Sequence, residues 1–241
     1  MRDKVASIAT PIRLVLLGPP GSGKGTQTKK LMNLIPQFDH ISSGELLRQQ
    51  INANTKLGQI ASKYIHEGKL IPDDLITKLL TNRLFNPLSP NSNNSNSKWI
   101  LDGFPRTIIQ AEHLDRTLLQ NQTMLDLVVE LNVPDSIILG RIEERYIHPS
   151  SGRVYNLKYN PPKVPGRDDV TGERLVKRVD DTLAAFKERI KTYHETADPL
   201  KEYYDKQGVL STLSGETSDI IFPKLVSLLN SKFGLKLETS S

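Results

Sequence analysis

Arg13-Leu14-Val15-Leu16-Leu17-Gly18-Pro19-Pro20-Gly21-Ser22-Gly23-Lys24-Gly25-Thr26 decides the architecture of this chain. Arg13 to Leu17 is a short apolar run stopped by a glycine and two prolines, which reads as a buried strand. A helical stretch follows from about Lys24 to Ile35. The glycines between them permit positive φ and close approach of backbone to a ligand. Successive N–H groups and the N-terminus of the helix then face an anion, and Lys24 adds a mobile point charge. A glycine-rich turn with an incidental lysine is the plain alternative. The strand before and the helix after favour a phosphate cradle over it. The general motif has a hydroxyl directly after the lysine, whereas here Gly25 precedes Thr26. That leaves direct coordination of Mg²⁺ by Thr26 open.

Working outward, Ser43 to Ala53, Leu57 to His66 and Leu75 to Leu84 read as helices. Pro72 sits at a first-turn position, with Asp73 and Asp74 near the positive end of the last one. Asn86 to Ser97 has almost nothing to bury and reads as a mobile surface loop. Trp99 to Asp102 is a buried strand ending in a carboxylate, and Thr107 caps a helix reaching about Gln120. Leu127 to Val133 reads as a strand and Asp135 to Glu143 as a helix. Glu144 to Asp181, rich in Pro, Gly, Arg and Asp, reads as a small irregular β insertion. A helix from Asp181 to Thr196, a strand near Val209 to Leu213 and a helix from Asp219 to Ser231 complete the chain. Strands alternating with helices indicate an α/β fold with a parallel sheet covered on both faces.

Bulk properties narrow the function. The 241 residues are 37% hydrophobic and 24% charged, as in soluble globular proteins. A net charge of +5 favours an anionic partner. No cysteine is present, which excludes disulfides and thiolate metal sites. No apolar run approaches the roughly 20 residues that span a bilayer, so no membrane partner is expected. Met1 to Ile12 lacks the apolar region of a secretory signal and makes a poor transit peptide. A switch GTPase would carry Asn-Lys-x-Asp, which is absent, and neither Asp169 to Gly172 nor Asp205 to Gly208 follows a buried strand. A nucleic-acid-binding ATPase is a remaining reading from another class, because the basic charge suits it as well.

Gly21 to Thr26 together with Asp102-Gly103-Phe104-Pro105-Arg106 resembles the adenylate kinase family, over about Arg13 to Phe233 and in its long form. The resemblance implies a P-loop kinase core with a five-stranded parallel sheet flanked by helices, formed by residues 1–41, 72–143 and 182–241. It also implies two moving parts, a helical AMP-binding insertion at 42–71 and a small β lid at 144–181. Matching positions for AMP are Ser43, Arg48, Lys69, Leu70, Ile71, Gly103, Phe104, Pro105, Arg106, Gln110, Arg178 and Arg189. For the donor they are Gly21, Ser22, Gly23, Lys24, Gly25, Thr26, Arg141, Arg145, Val154, Tyr155 and Thr217. Lys24, Arg106, Arg141, Arg145, Arg178 and Arg189 are the candidate catalytic cations, because a transferring phosphoryl group needs positioning and positive charge. Asp102 is the candidate to hold Mg²⁺ through water. The implied substrates are a nucleoside triphosphate and AMP, and the implied enzyme is a monomer that binds no nucleic acid.

Within the family, Arg153 to Asn156, Tyr159 to Lys163 and Ser214 to Thr217 are most similar to the GTP-using mitochondrial branch. That implies GTP as donor and the mitochondrial matrix as location, with ATP and the cytoplasm as the alternatives. Asn156 stands where many ATP-using relatives have His. Its amide can donate to a guanine carbonyl or simply pin the lid turn. Finally, His148-x-x-Ser151 and Asp168-x-x-Thr171 fall where some members bind zinc through cysteines. Two ordinary ligands are too few for a closed structural site, so a hydrogen-bonded network without zinc is expected.

Overall fold

The structure is a computed structural model that describes residues 10–85, 97–178 and 181–238. The readings of residues 1–9 and 86–96 lie outside the described residues. In chain order the first elements are β1 (Ile12–Leu17), α1 (Lys24–Leu34), β2 (Asp39–Ser42), α2 (Ser43–Asn52), α3 (Lys56–His66) and α4 (Asp73–Leu84). Next come β3 (Lys98–Asp102), α5 (Ile108–Gln120), β4 (Leu127–Asn132) and α6 (Asp135–Glu143). The hairpin of β5 (Arg145–Ile147) and β6 (Val154–Asn156) precedes α7 (Leu183–Lys206), β7 (Leu210–Ser214) and α8 (Ser218–Phe233).

β1 is central, with β3 on one side and β4 on the other, in a parallel sheet of order β2-β3-β1-β4-β7. A strand covered on both faces is apolar throughout, and its alternate residues enter different cores. Val15 and Leu17 pack with α4, α5 and the end of α7, including Leu80, Leu114 and Tyr204. Ile12, Leu14 and Leu16 pack with α1, α6 and α8, including Leu31, Ile138 and Leu225. In register, Leu16 lies opposite Asp102 and Leu17 opposite Glu130. The phosphate loop and the loop after β3 therefore leave the sheet side by side, at the carboxyl edge where ligands bind in open α/β sheets.

Three local readings needed correction. β2 escaped notice because Asp-His-Ile-Ser contributes one buried apolar residue, Ile41. Its strand character comes from pairing with β3. α7 runs to Lys206, ten residues past the expected stop, with Pro199 inside it. Leu200 and Tyr204 are buried in the core, and this packing outweighs the hydrogen bond that a proline removes. Pro72 is the N-cap of α4 rather than a first-turn residue.

Candidate active site

Steric necessity shapes the phosphate loop at Gly21. Its φ is +87°, and a Cβ there would lie 2.8 Å from Cγ2 of Ile138 on α6. Any larger residue would strain the turn and push the loop off that helix. Gln27 N donates to Gly23 O at 3.0 Å, so the loop feeds directly into α1. No side chain caps α1, which leaves the N–H groups of its first turn for an anion. Lys24 folds back, its Nζ donating to Gly18 O at 2.7 Å and Pro19 O at 2.9 Å. Burial lowers its pKa to about 8, opposed by Asp102 and reinforced by Arg106 and Arg145.

Asp102 ends β3 beside this lysine, half-buried, its carboxylate making no hydrogen bond or ion pair among the described residues. Its Oδ2 is 3.9 Å from where a Cβ on Gly25 would stand. An uncommitted carboxylate against the phosphate loop suits Mg²⁺ bound through water and phosphate oxygens. No cluster of three or more His, Asp or Glu that could grip a metal directly occurs among the described residues. Thr26 is exposed on α1.

On the other wall, one carbonyl joins two segments. Gly103 O accepts from Ser43 Oγ at 2.7 Å and from Arg106 Nε at 2.8 Å. Ser43 opens α2, so this oxygen ties the loop after β3 to the helical insertion. Arg106 is exposed, yet the protein packed around its guanidinium lowers its pKa. Repulsion from Arg189 and Arg48 adds to that, against the pull of Asp102. Lys24, Leu70, Pro105, Arg106 and Arg189 line one cleft. Phe104 and Ile71 are core residues, so only their backbones can meet a ligand. Lys69 is exposed and paired with Glu67 Oε2 at 2.7 Å. Gln110 is buried behind Arg106.

Toward the hairpin, Arg141 donates from Nη1 to Gly21 O at 3.1 Å and from Nη2 to Glu216 O at 2.5 Å. The ring of Tyr159 stands 5.4 Å from its guanidinium carbon. Thr217 caps α8, its Oγ1 accepting from Ile220 N at 3.3 Å, which commits the side chain. Arg145 donates from Nε to Asp181 Oδ2 at 2.7 Å, and from Nη2 to Asp181 Oδ1. Arg178 lies three residues before that aspartate, its carbonyl accepting from Asp181 N at 3.1 Å. Val154 is exposed, whereas the Tyr155 ring turns inward, its hydroxyl donating to Asp168 Oδ1 at 2.9 Å. Only the backbone of Tyr155 remains for a nucleotide. Asn156 donates to Arg141 O at 2.8 Å and accepts from Lys158 N and Tyr159 N, both at 3.0 Å. Of the two roles open to it, the structure has Asn156 pinning the turn.

The adenylate kinase family model matches residues 16–209. Two relatives from Saccharomyces cerevisiae carry the name "GTP:AMP phosphotransferase, mitochondrial". One is 58% identical over 96% of this chain and 97% of its own length. The other, from strain S288c, is 57% identical over 91% of this chain and 96% of its own length. A Drosophila melanogaster protein of the same name is 42% identical over 91% of this chain and 96% of its own. The chain belongs to the adenylate kinase family.

In this member of the adenylate kinase family, the polar side chains between β5 and α7 form a network larger than the expected quartet. His148 Nδ1 meets Ser151 Oγ at 2.7 Å, and Thr171 Oγ1 lies 3.2 Å from His148 Nε2 and 3.0 Å from Asp168 Oδ2. Arg153 grips Asp168 with two bonds, at 2.7 and 2.6 Å, and Glu173 meets His148 Nε2. The guanidinium of Arg153 holds the Asp168 carboxyl well below the usual range despite burial, helped by Thr171 N, Tyr155 and Val170 N. Sequence reasoning missed Arg153, Glu173, Tyr159, Asp181 and Asp73 as members of the site and its support. For Tyr159 a signal existed, an aromatic residue inside the Tyr-Asn-Pro-Pro segment. For the others no local pattern marks the partner.

Proposed function

We propose that this chain transfers the terminal phosphoryl group of GTP, in preference to ATP, reversibly to AMP in the mitochondrial matrix. The observation that carries this reading is similarity, over 91–96% of the chain, to relatives named as mitochondrial GTP:AMP phosphotransferases; the matrix is the finer part of the proposal. The cleft supports it chemically. Lys24, Arg106 and Arg189 line the same cleft, where burial and neighbouring arginines lower the pKa of Lys24 and Arg106 against the pull of Asp102, and a polyphosphate would relieve that repulsion. An oxygen of the AMP phosphate attacks the terminal phosphorus, and the bond to the bridging oxygen of the diphosphate breaks. Positive charge from Lys24, Arg106, Arg141, Arg145, Arg178 and Arg189 stabilises the shared negative charge during transfer. Arginine suits this because its planar fork grips phosphate oxygens in pairs.

Asp102 would hold Mg²⁺, which when bound neutralises phosphate charge and orients the donor. Residues 42–71 and 144–181 close over the nucleotides and exclude water as a competing acceptor. Val154 and Tyr155 offer their backbones to the donor, and Arg141 with Tyr159 offers a flat cationic face to its base. The enzyme works as a monomer, and its lid folds without zinc. The test is a coupled assay of AMP with GTP, ATP, ITP and UTP in turn. A several-fold higher kcat/KM for GTP supports the reading; equal or better use of ATP overturns the donor assignment. Turnover that does not require AMP would overturn the kinase reading altogether.

A further inference from the structure

Gln110 is 2% exposed, yet its amide is not simply filling space. Oε1 accepts from Arg106 N at 2.7 Å, and Nε2 donates to Asp73 Oδ1 at 2.6 Å. The other carboxylate oxygen, Asp73 Oδ2, accepts from Thr107 Oγ1 at 3.1 Å. The same Oγ1 accepts from Gln110 N at 3.2 Å, so the hydroxyl that caps α5 also steadies the carboxylate. A primary amide has two donor hydrogens and two acceptor lone pairs. One of each is used here by Arg106 and Asp73. One of each has no partner among the described residues.

Each neighbour enforces one orientation of the amide. A backbone N–H can only donate, and an ionised carboxylate can only accept. Turning the amide over would set Nε2 against Arg106 N–H and Oε1 against Asp73, losing two hydrogen bonds in a buried place. Asp73 is well suited to this duty, since it lies in the first turn of α4 where negative charge is favoured. The order of acceptor and donor that Gln110 can offer a ligand is therefore set from behind.

We propose that Asp73 is a positioning residue for acceptor specificity: by locking the Gln110 amide it makes the site read a 6-aminopurine and reject a 6-oxopurine. The proposal rests on the reading of Gln110 as a contact to the acceptor base. Adenine presents an amine donor at its six-position beside a ring-nitrogen acceptor. The free Oε1 lone pair and Nε2 hydrogen complement that pair. Hypoxanthine presents the reverse pair, a carbonyl acceptor beside a ring N–H, and meets like against like at both places. A buried site with polar groups mismatched in this way discriminates by about 10³-fold or more.

The experiment measures kcat/KM for AMP and for IMP at saturating donor, in wild type, Asp73→Asn and Gln110→Ala. An asparagine at position 73 can present either its carbonyl or its amine, which removes one of the two constraints on the amide. The AMP-to-IMP ratio then falls by about tenfold, the worth of one hydrogen bond. Donor KM is unchanged. The ratio comes from one preparation, so partial misfolding cancels from it. A merely structural role would lower both acceptors alike and leave the ratio intact, which overturns the proposal. If Gln110→Ala also leaves the ratio intact, the reading of Gln110 as a base contact fails first. A ratio that collapses in Gln110→Ala but persists in Asp73→Asn refutes the role of Asp73 alone.

Discussion

Replacing Gly103 by alanine strikes the carbonyl that joins Ser43 and Arg106. Gly103 has φ of +79°, a region that costs a residue with a Cβ about 1 kcal/mol. The new Cβ would stand 2.6 Å from Ser43 Oγ, closer than real contacts allow, so the hydroxyl must swing away. It then gives up its 2.7 Å bond to Gly103 O, worth about 1 kcal/mol net. Arg106 Nη2, 3.2 Å from the same Cβ, must shift by a few tenths of an ångström. The total of about 2 kcal/mol falls on acceptor-side groups, which corresponds to about 30-fold in kcat/KM for AMP. The phosphate loop is untouched, so the Kd of the donor stays within about twofold. The assay is initial rates with AMP varied at saturating donor, with donor binding by calorimetry and Tm by scanning calorimetry. Adding Ser43→Ala removes the clashing oxygen, so the double variant is no worse than Gly103→Ala alone, a coupling of about 1 kcal/mol. Equal losses on donor and acceptor sides, or strict additivity in the double variant, would refute the reasoning.

Other outcomes follow from the same geometry. Lys24, with a pKa of about 8 before ligand binds, takes up protons when a triphosphate arrives. At pH 8 that amounts to about half a proton per site, and the value falls to about a tenth at pH 7. Calorimetry in buffers of different ionisation enthalpy measures it, and an equal uptake by Lys24→Met would remove the assignment. Asn156→His frees Arg141 O and the Lys158–Tyr159 turn, so GTP and ATP lose kcat/KM alike, by about three- to tenfold. A selective gain for ATP would instead show that Asn156 reads the base. Because the folded pKa of Asp168 is depressed, its network adds stability above the unfolded carboxyl value of about 4 and loses it progressively below. The Tm difference between wild type and Arg153→Met is therefore widest near neutral pH and narrows in acid; a gap independent of pH contradicts the coupling. Metal analysis of purified protein finds no stoichiometric zinc, and a chelator leaves Tm unchanged; a chelator-induced drop would mean that zinc holds the lid.

Much of the architecture was legible along the chain because its causes are local. An apolar run of strand length followed by Gly18, Pro19 and Pro20 has few alternatives, and the predicted strand at Arg13 to Leu17 differs from β1 by one residue. Thr107 as cap of α5 and the span of α6 were equally readable, since capping and helical periodicity act within a few residues. The resemblance named the cationic positions of the cleft, and the fold brings Lys24, Arg106 and Arg189 to its lining. β2 and the last ten residues of α7 were not readable. A polar four-residue strand and a helix running through Pro199 exist because neighbouring elements bury and pair them.

Partner choice was decided only in three dimensions. Asp73 and Gln110 lie 37 positions apart, and Arg145 and Asp181 lie 36 apart. Nothing in their spacing pairs them, because a hydrogen bond forms only where packing brings the groups within about 3 Å. The same holds for direction. Val154 and Tyr155 look alike as donor contacts in the sequence. Strand alternation sends one outward and the other into the hairpin, toward Asp168. Asn156 carries an amide that suits either a base or a turn, and the carbonyl of Arg141 at 2.8 Å settles which one it serves here. Residue types and local pattern thus determined what chemistry this chain can hold. Long-range packing determined which groups are left uncommitted to perform it, because each contact made inside the protein is one withdrawn from the ligand.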